Sequence, residues 1–232
     1  MTDVDRTALI TGASRGLGLA LARSLAARGW RLVIDARGED ALEAARVELA
    51  AVTEVVALPG DVADEWHRRA LVEAAGGRLD ALVNNASILG PSPQPPLEAY
   101  PLDVLEDVLR VNTIAPLGLV QAALPILSAG ARIVNVTSDA GVEAYGGWGG
   151  YGSSKAALDQ LTRVLAVERR ELRCYAFDPG DMNTAMHQAA FPGEDISDRP
   201  PPEESVPALL ALLDGDLPSG RYRAADLAEV RA

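Results

Sequence analysis

Thr11-Gly12-Ala13-Ser14-Arg15-Gly16-Leu17-Gly18 is the stretch that decides the fold. It follows a strand-like run, Thr7 to Thr11, and opens a helical segment from about Arg15 to Arg28. Leu17, Leu21 and Leu25 are spaced there for one apolar face. Gly29 ends that segment. Strand, glycine turn and helix in this order bring backbone close to a pyrophosphate. The glycines permit the tight turn, and the unpaired N–H groups at the helix start meet phosphate oxygens. Gly12, Ser14, Arg15, Gly16, Leu17 and Gly18 are therefore candidate cofactor-binding residues.

The same alternation continues outward from this stretch. Strands are predicted over Arg31–Ala36, Val55–Leu58, Leu79–Asn84, Arg132–Thr137 and Arg173–Phe177, with a short last strand at Gly220–Arg223. Helices are predicted over Asp40–Ala51, Ala63–Ala75, Leu102 to about Leu127, the run carrying Lys155, Leu158, Leu161 and Leu165, and about Pro202–Leu213. Pro116 and Pro125 fall inside the long run and predict a kink or break near each. The proline-rich 90–96 stretch is a loop, since the alternation resumes after it. The 181–203 segment is a loop or lid with short helical turns. No repeat or composition break marks a second domain, so 1–232 is expected to be one domain. Strands alternating with helices imply α/β architecture with a parallel sheet and ligands at the carboxyl ends of the strands.

Composition narrows the function. The chain has 232 residues, 48% hydrophobic and only 4% aromatic, so Ala, Leu and Val carry the packing. A net charge of −12 and no basic stripe argue against nucleic acid and anionic membrane as partners. Cys174 is the only cysteine, which excludes an internal disulfide. His67 and His187 lack a metal-ligand spacing, so no metal is expected. The lead Met1–Arg6 shows no signal-peptide pattern and no apolar run approaching about 18 residues is evident, which makes the cytoplasm the expected location.

Tyr151 and Lys155 lie one helical turn apart, so phenol and ammonium project from one face. A nearby cation favours the ionised phenol, whose ordinary pKa is about 10. A tyrosine tuned this way exchanges a proton with a substrate oxygen near neutral pH. Such a pair is common by itself and gains weight from the glycine turn at the other end of the chain. Ser138 precedes it at the end of a predicted strand.

Taken together, the motifs resemble those of the short-chain dehydrogenase/reductase family. The turn has the T-G-x-x-x-G-x-G form. Asn84-Asn85-Ala86 is similar to that family's N-N-A-G element, with Ser87 in place of the usual glycine. Asn112 falls in the long helix as the family's asparagine does, and Ser138, Tyr151 and Lys155 match its serine and Y-x-x-x-K pair. Pro179-Gly180 with Thr184 matches P-G-x-x-x-T. The matches run from about Thr7 to Thr184. The resemblance implies a single NAD(P)-binding Rossmann domain, doubly wound, with a mostly parallel seven-stranded sheet and helices on both faces. It implies hydride transfer between nicotinamide and a carbonyl or alcohol carbon of a small molecule. Tyr151 would move the proton, Lys155 would tune the phenol and bind the nicotinamide ribose, Ser138 would hold the substrate oxygen, and Asn112 would support a water. Asp61-Val62 would contact adenine, and Asn85, Ala86, Ser87, Pro179, Gly180, Met182 and Thr184 would complete the cofactor site.

The choice of cofactor is electrostatic. A carboxylate at the end of the second strand binds the ribose hydroxyls of NAD and repels a 2′-phosphate, while arginine attracts it. The position that carries the selecting acid in relatives is Ala36 here, with Asp35 before it and Arg37 after it. Arg37 and Arg15 favour NADP(H), and NAD(H) stays possible. Tyr145, Trp148, Met182, Met186 and Phe191 are candidates for an apolar pocket or for plain packing. The Gly146–Gly150 stretch is expected to be mobile, and the 91–96 and 181–203 segments to close over substrate. The resemblance also implies a homodimer or homotetramer. The competing possibilities are an NAD-preferring dehydrogenase of the same family, an epimerase or lyase of the wider superfamily, and a cofactor-sensing regulator without turnover. The regulator is disfavoured because all four catalytic positions are filled.

Overall fold

The computed structural model describes residues 6–229; the lead Met1–Asp5 and the last residues, 230–232, lie outside it. Seven strands form one sheet: β1 (Thr7–Ile10), β2 (Arg31–Ala36), β3 (Val55–Pro59), β4 (Leu79–Asn84), β5 (Leu127–Val136), β6 (Arg173–Asp178) and β7 (Gly220–Arg223). Their order is β3-β2-β1-β4-β5-β6-β7, and each neighbouring pair is parallel. The sheet is thus wholly parallel, a Rossmann-like arrangement with its topological switch between β1 and β4.

The helices are α1 (Gly16–Ala26), α2 (Glu39–Ala50), α3 (Glu65–Ala74), α4 (Leu102–Leu109), α5 (Ala115–Ala123), α6 (Gly149–Glu168), α7 (Ala185–Ala190), α8 (Val206–Asp214) and α9 (Ala224–Glu229). Side chains alternate across a strand, which sorts the core into two layers. Ala8 and Ile10 pack with Leu17, Leu21 and Leu25 of α1 and Leu209 of α8. Leu9, between them, packs on the other face with Leu71 of α3 and Leu119, Val120 and Ala123 of α5. Strands covered on both faces need continuous apolar runs, which is why β1 and β4 are buried throughout.

The long helical run is where expectation and structure differ most. Proline has no N–H to continue the α-helical ladder, and the chain answers with a π-helical turn at Arg110–Ile114. Pro116 then sits in the first turn of α5, where its missing N–H costs nothing. Pro125 falls in a 3₁₀ turn that ends the run. The run Leu102–Ile126 is by length and composition apolar enough to cross a membrane, contrary to the expectation that no such run exists. Here, however, Val108, Val111, Ala115, Leu119, Val120 and Ala123 are buried inside the fold. β5 begins at Leu127, five residues before the predicted Arg132, because β4 shifts register between Leu79 and Ala81 and pairs Leu79 with Leu127. α9 was not anticipated.

Register brings the carboxyl ends of the central strands level. Asn84 pairs with Asn135, Val136 with Phe177, and Asp178 with Arg223. The segments that follow β1, β4, β5 and β6 consequently meet above one edge of the sheet.

Candidate active site

The turn after β1 is tied to the segment after β4. Asn85 Nδ2 donates to the carbonyls of Thr11 (2.9 Å) and Gly12 (3.1 Å). Thr11 Oγ1 accepts the N–H groups of Asn85 and Ala86, both at 3.0 Å. The fit is close: a Cβ on Gly18 would stand 2.5 Å from the Gly12 carbonyl oxygen. Gly16 has φ +57°, a conformation unfavourable to a side chain, and a Cβ there would meet only Thr184 Cγ2, at 3.7 Å. The loop therefore faces Thr184 at close to van der Waals distance. No side chain caps the first turn of α1, so its N–H groups are available to an anion. A dinucleotide pyrophosphate fits this cradle.

Around the cradle, Val62 packs with Val111, Ala115, Ala86 and Ile88, and Asp61 Oδ1 accepts Ala63 N–H at 2.8 Å. Asp178 Oδ1 accepts the N–H of Gly180 (3.1 Å), and Thr184 caps α7 by accepting His187 N–H (3.2 Å). Met182 packs against the main core cluster, not into the aromatic cluster beside Tyr151.

Asp35 settles its own role. Its side chain is 1% exposed, and both oxygens are engaged. Oδ1 accepts the N–H of Gly12 at 2.8 Å, and Oδ2 lies 3.1 Å from His67 Nε2. This carboxylate anchors the glycine turn from beneath and has no oxygen left for a ribose. Arg15 and Arg37 are exposed, and their side chains make no hydrogen bond or ion pair among the described residues.

The second half of the site grows from α6. The Gly146–Gly150 stretch was expected to be mobile, yet Gly149 and Gly150 already belong to the helix, as does Gly152. They are glycines because neighbours come too close for a side chain. A Cβ on Gly150 would lie 2.2 Å from Tyr100 Cζ, and one on Gly152 2.5 Å from the Ala140 carbonyl oxygen. Tyr151 and Lys155 are thereby pressed against the turn that follows β5. Tyr151 is 8% exposed and Lys155 2%. Lys155 Nζ donates to the Val136 carbonyl at 2.8 Å and lies 5.4 Å from the centre of the Tyr151 ring. Ser138 Oγ donates to Asp139 Oδ1 at 2.9 Å.

Asn112, on the π-turn, is fully buried. Nδ2 donates to the Ile88 carbonyl (2.8 Å) and to Ser154 Oγ (3.0 Å), and Oδ1 accepts Ile88 N–H (2.9 Å). Its side chain straps the segment after β4 to α6, and both amide hydrogens are committed to that task.

Burial controls the titration of the pair. It pushes the Tyr151 phenol above its ordinary value; the hydroxyls of Ser87 and Ser138 oppose the shift, and the Asp178 and Asp139 carboxylates add to it. Burial also pushes the Lys155 ammonium down to about 8, against the attraction of Asp159. The sequence predicted a phenol lowered by Lys155; in the structure burial raises it instead.

An apolar wall covers the phenol. Leu89, Ala140, Trp148, Met186, Ala189 and Ala190 cluster with Tyr151. The Trp148 ring stands 5.8 Å from that of Tyr151 and 5.9 Å from that of Phe191. Tyr145 instead lies outside the cluster and donates to Asp139 Oδ2 at 3.0 Å. Ser92 Oγ donates to the Ala189 carbonyl at 2.6 Å, which ties the proline-rich loop to α7.

With this geometry in hand, comparison with known proteins decides the family. A profile described as short chain dehydrogenase matches residues 6–195. The chain belongs to the short chain dehydrogenase family. Its members are oxidoreductases that interconvert CH–OH and C=O groups. This short chain dehydrogenase is 40% identical over 173 residues to the rhamnolipids biosynthesis 3-oxoacyl-[acyl-carrier-protein] reductase of Pseudomonas aeruginosa, a match covering 70% of this chain and 66% of that protein. It is 36% identical over 205 residues to 2-(R)-hydroxypropyl-CoM dehydrogenase of Xanthobacter autotrophicus, covering 84% and 82%. A crystal structure of a short chain dehydrogenase from Shigella flexneri complexed with NADP superposes with a TM-score of 0.87 at 30% identity, covering 95% of this chain and 97% of that one.

Sequence reasoning placed the glycine turn, Ser138, Tyr151 and Lys155 together, and missed their supports. The Asp35–His67 pair, Asp139 and Asp178 show only in three dimensions, since each partner is distant in sequence or hidden in a polar loop. One signal was available and unused: Lys155 is the only lysine in the chain, every other Lys or Arg being arginine. Arginine stays charged at any ordinary pH, whereas a buried lysine can lose its proton.

Proposed function

We propose that this chain is an NADP-dependent oxidoreductase that moves hydride between nicotinamide and the carbonyl or alcohol carbon of a small apolar molecule, with Tyr151 as general acid and base. The carrying observation is the meeting of Tyr151, Lys155 and Ser138 at the carboxyl edge of the sheet, beside an uncapped glycine-rich helix start. The cofactor supplies the hydride chemistry; the protein holds it and handles the proton. Gly12, Ser14, Gly16, Leu17 and Gly18 cradle the pyrophosphate, with Thr184 opposite. Tyr151 passes a proton to the substrate oxygen in reduction and takes it back in oxidation. Lys155 keeps two of its three N–H donors free after bonding Val136, enough to hold a ribose hydroxyl. Ser138 orients the substrate oxygen.

Preference for NADP rests on Asp35 being spent on Gly12 and His67 while Arg15 and Arg37 stand unpaired. The Shigella relative complexed with NADP supports it. The wall of Leu89, Trp148, Met186 and Phe191 suits an apolar substrate body. Exposed Ile114, Val164 and Val167 on the outer faces of the π-turn and α6 suit a homodimer or homotetramer.

The test is Tyr151→Phe, followed at the nicotinamide absorbance with a panel of apolar ketones and by NADPH titration. Turnover should fall by roughly 10²–10⁴-fold with NADPH affinity nearly unchanged. A variant that keeps wild-type rates removes Tyr151 from the chemistry.

A further inference from the structure

β7 brings to the back of the site a side chain that no motif marks. Arg221 donates in three directions: Nε to Asp159 Oδ2 on α6 at 3.1 Å, Nη2 to Asp178 Oδ2 at the end of β6 at 2.9 Å, and Nη2 to the Ser138 carbonyl at 3.1 Å. The two carboxylates are 1% and 4% exposed and the arginine 20%. Asp159 lies one helical turn beyond Lys155, and the other oxygen of Asp178 holds the Gly180 N–H. One guanidinium therefore touches the turn bearing Ser138, the Pro179-Gly180 turn and the helix bearing Tyr151 and Lys155.

We infer that Arg221 is a positioning residue of the redox site, fixing the Ser138 backbone and balancing the two buried carboxylates behind Tyr151 and Lys155. The part played in turnover rests on the hydride-transfer reading above; the charge balance does not. A guanidinium suits this place because its planar fork serves two carboxylates and a carbonyl at once, which an ammonium cannot do with the same geometry.

The charged and titratable groups around this spot come from four elements: Tyr151, Lys155 and Asp159 on α6, Asp139 after β5, Asp178 on β6 and Arg221 on β7. Without Arg221, Lys155 is the one cation left against the three carboxylates. A more negative surrounding favours both the ammonium and the neutral phenol. Asp159 acts on Lys155 in that sense, and Asp178 on Tyr151.

Because Lys155 is the only lysine, protein grown with ¹³Cε-lysine gives a single side-chain lysine resonance, whose titration reads this site without any substrate. In cofactor-free protein the wild-type midpoint is expected near pH 8. Arg221→Met should raise it by roughly one unit. Asp159→Asn, which keeps shape and removes a carboxylate, should lower it. Arg221→Lys adds a second lysine resonance, assigned by its absence from the wild-type and Arg221→Met spectra; the Lys155 resonance should return to the wild-type midpoint while kcat stays reduced, since charge returns without the fork. The pH profile of alcohol oxidation should move the same way in Arg221→Met, with roughly tenfold lower kcat and little change in KM for NADP. A lysine midpoint that stays put in Arg221→Met overturns the inference, whatever Asp159→Asn does. Should Arg221→Met not fold, Asp159→Asn and Arg221→Lys decide it alone. A wild-type protein that turns over no ketone or alcohol, yet shows the lysine shifts, rejects the proposed reaction and keeps the charge balance.

Discussion

Asp35 offers the sharpest trial of the structure, because two roles for it predict opposite results. As a cofactor selector it would face a ribose, and replacing it would alter NADH affinity alone. In the structure it is buried and accepts the Gly12 N–H at 2.8 Å with the His67 ring on its other oxygen. A hydrogen bond to a charged group contributes about 1.5–3 kcal/mol, and Asp35→Ala loses that while leaving a buried N–H unpaired. For a chain of this size each kcal/mol shifts Tm by roughly 2–4 °C, so Asp35→Ala should melt roughly 3–12 °C lower. Asp35→Asn keeps an acceptor for Gly12 and loses only charge assistance, about 1 kcal/mol, or roughly 2–4 °C. Both variants loosen the turn beneath the pyrophosphate, so NADPH and NADH should weaken together, their ratio of Kd values holding within about threefold. Differential scanning fluorimetry without cofactor, then fluorescence titration with each cofactor, measures all of this. An unchanged Tm together with a selective loss of NADH binding would refute the anchoring role.

Arg37→Ala should weaken NADPH by roughly 10–100-fold, the equivalent of about 1.5–3 kcal/mol for a lost charge-assisted contact, and leave NADH nearly untouched; equal losses for both would remove Arg37 from the 2′-phosphate site. Lys155 supplies a pH signature of stability. Its folded pKa of about 8 lies below the ordinary 10.5, so between these values the unfolded chain holds more protons and stability rises with pH. Urea unfolding of cofactor-free protein should show the wild type gaining on Lys155→Met from pH 7.5 to 10, by up to about 3 kcal/mol; a gap independent of pH would mean that the amine is not desolvated.

Much of the fold was legible because local chemistry enforces it. Gly29 and Gly76-Gly77 stop helices, the short apolar runs Leu32–Ile34 and Ala81–Val83 that follow them read as buried strands, and the glycine turn fixes where the first strand hands over to its helix. Element ends were less legible. Pro116 announced a break but not its form: the π-turn at Arg110–Ile114 carries Asn112 against Ile88 and Ser154, partners distant in the chain. Gly149 and Gly150 looked like slack and are contact points, because crowding by Leu97 and Tyr100 is invisible in a linear string.

What the chain order alone determined is the set of groups on which the proposed chemistry rests: a phenol and an amine one turn apart, a serine at a strand end, and a glycine turn shaped for a phosphate. These are short-range patterns, and spacing along a helix or turn suffices to fix them. What only the tertiary structure decided is how those groups are held and charged. Asp35 meets Gly12 and His67, and Arg221 meets Asp159, Asp178 and Ser138, through parallel strand register between segments far apart in the chain. Register and burial arise from packing of the whole sheet, and they decide whether a carboxylate is a ligand, an anchor or a source of field.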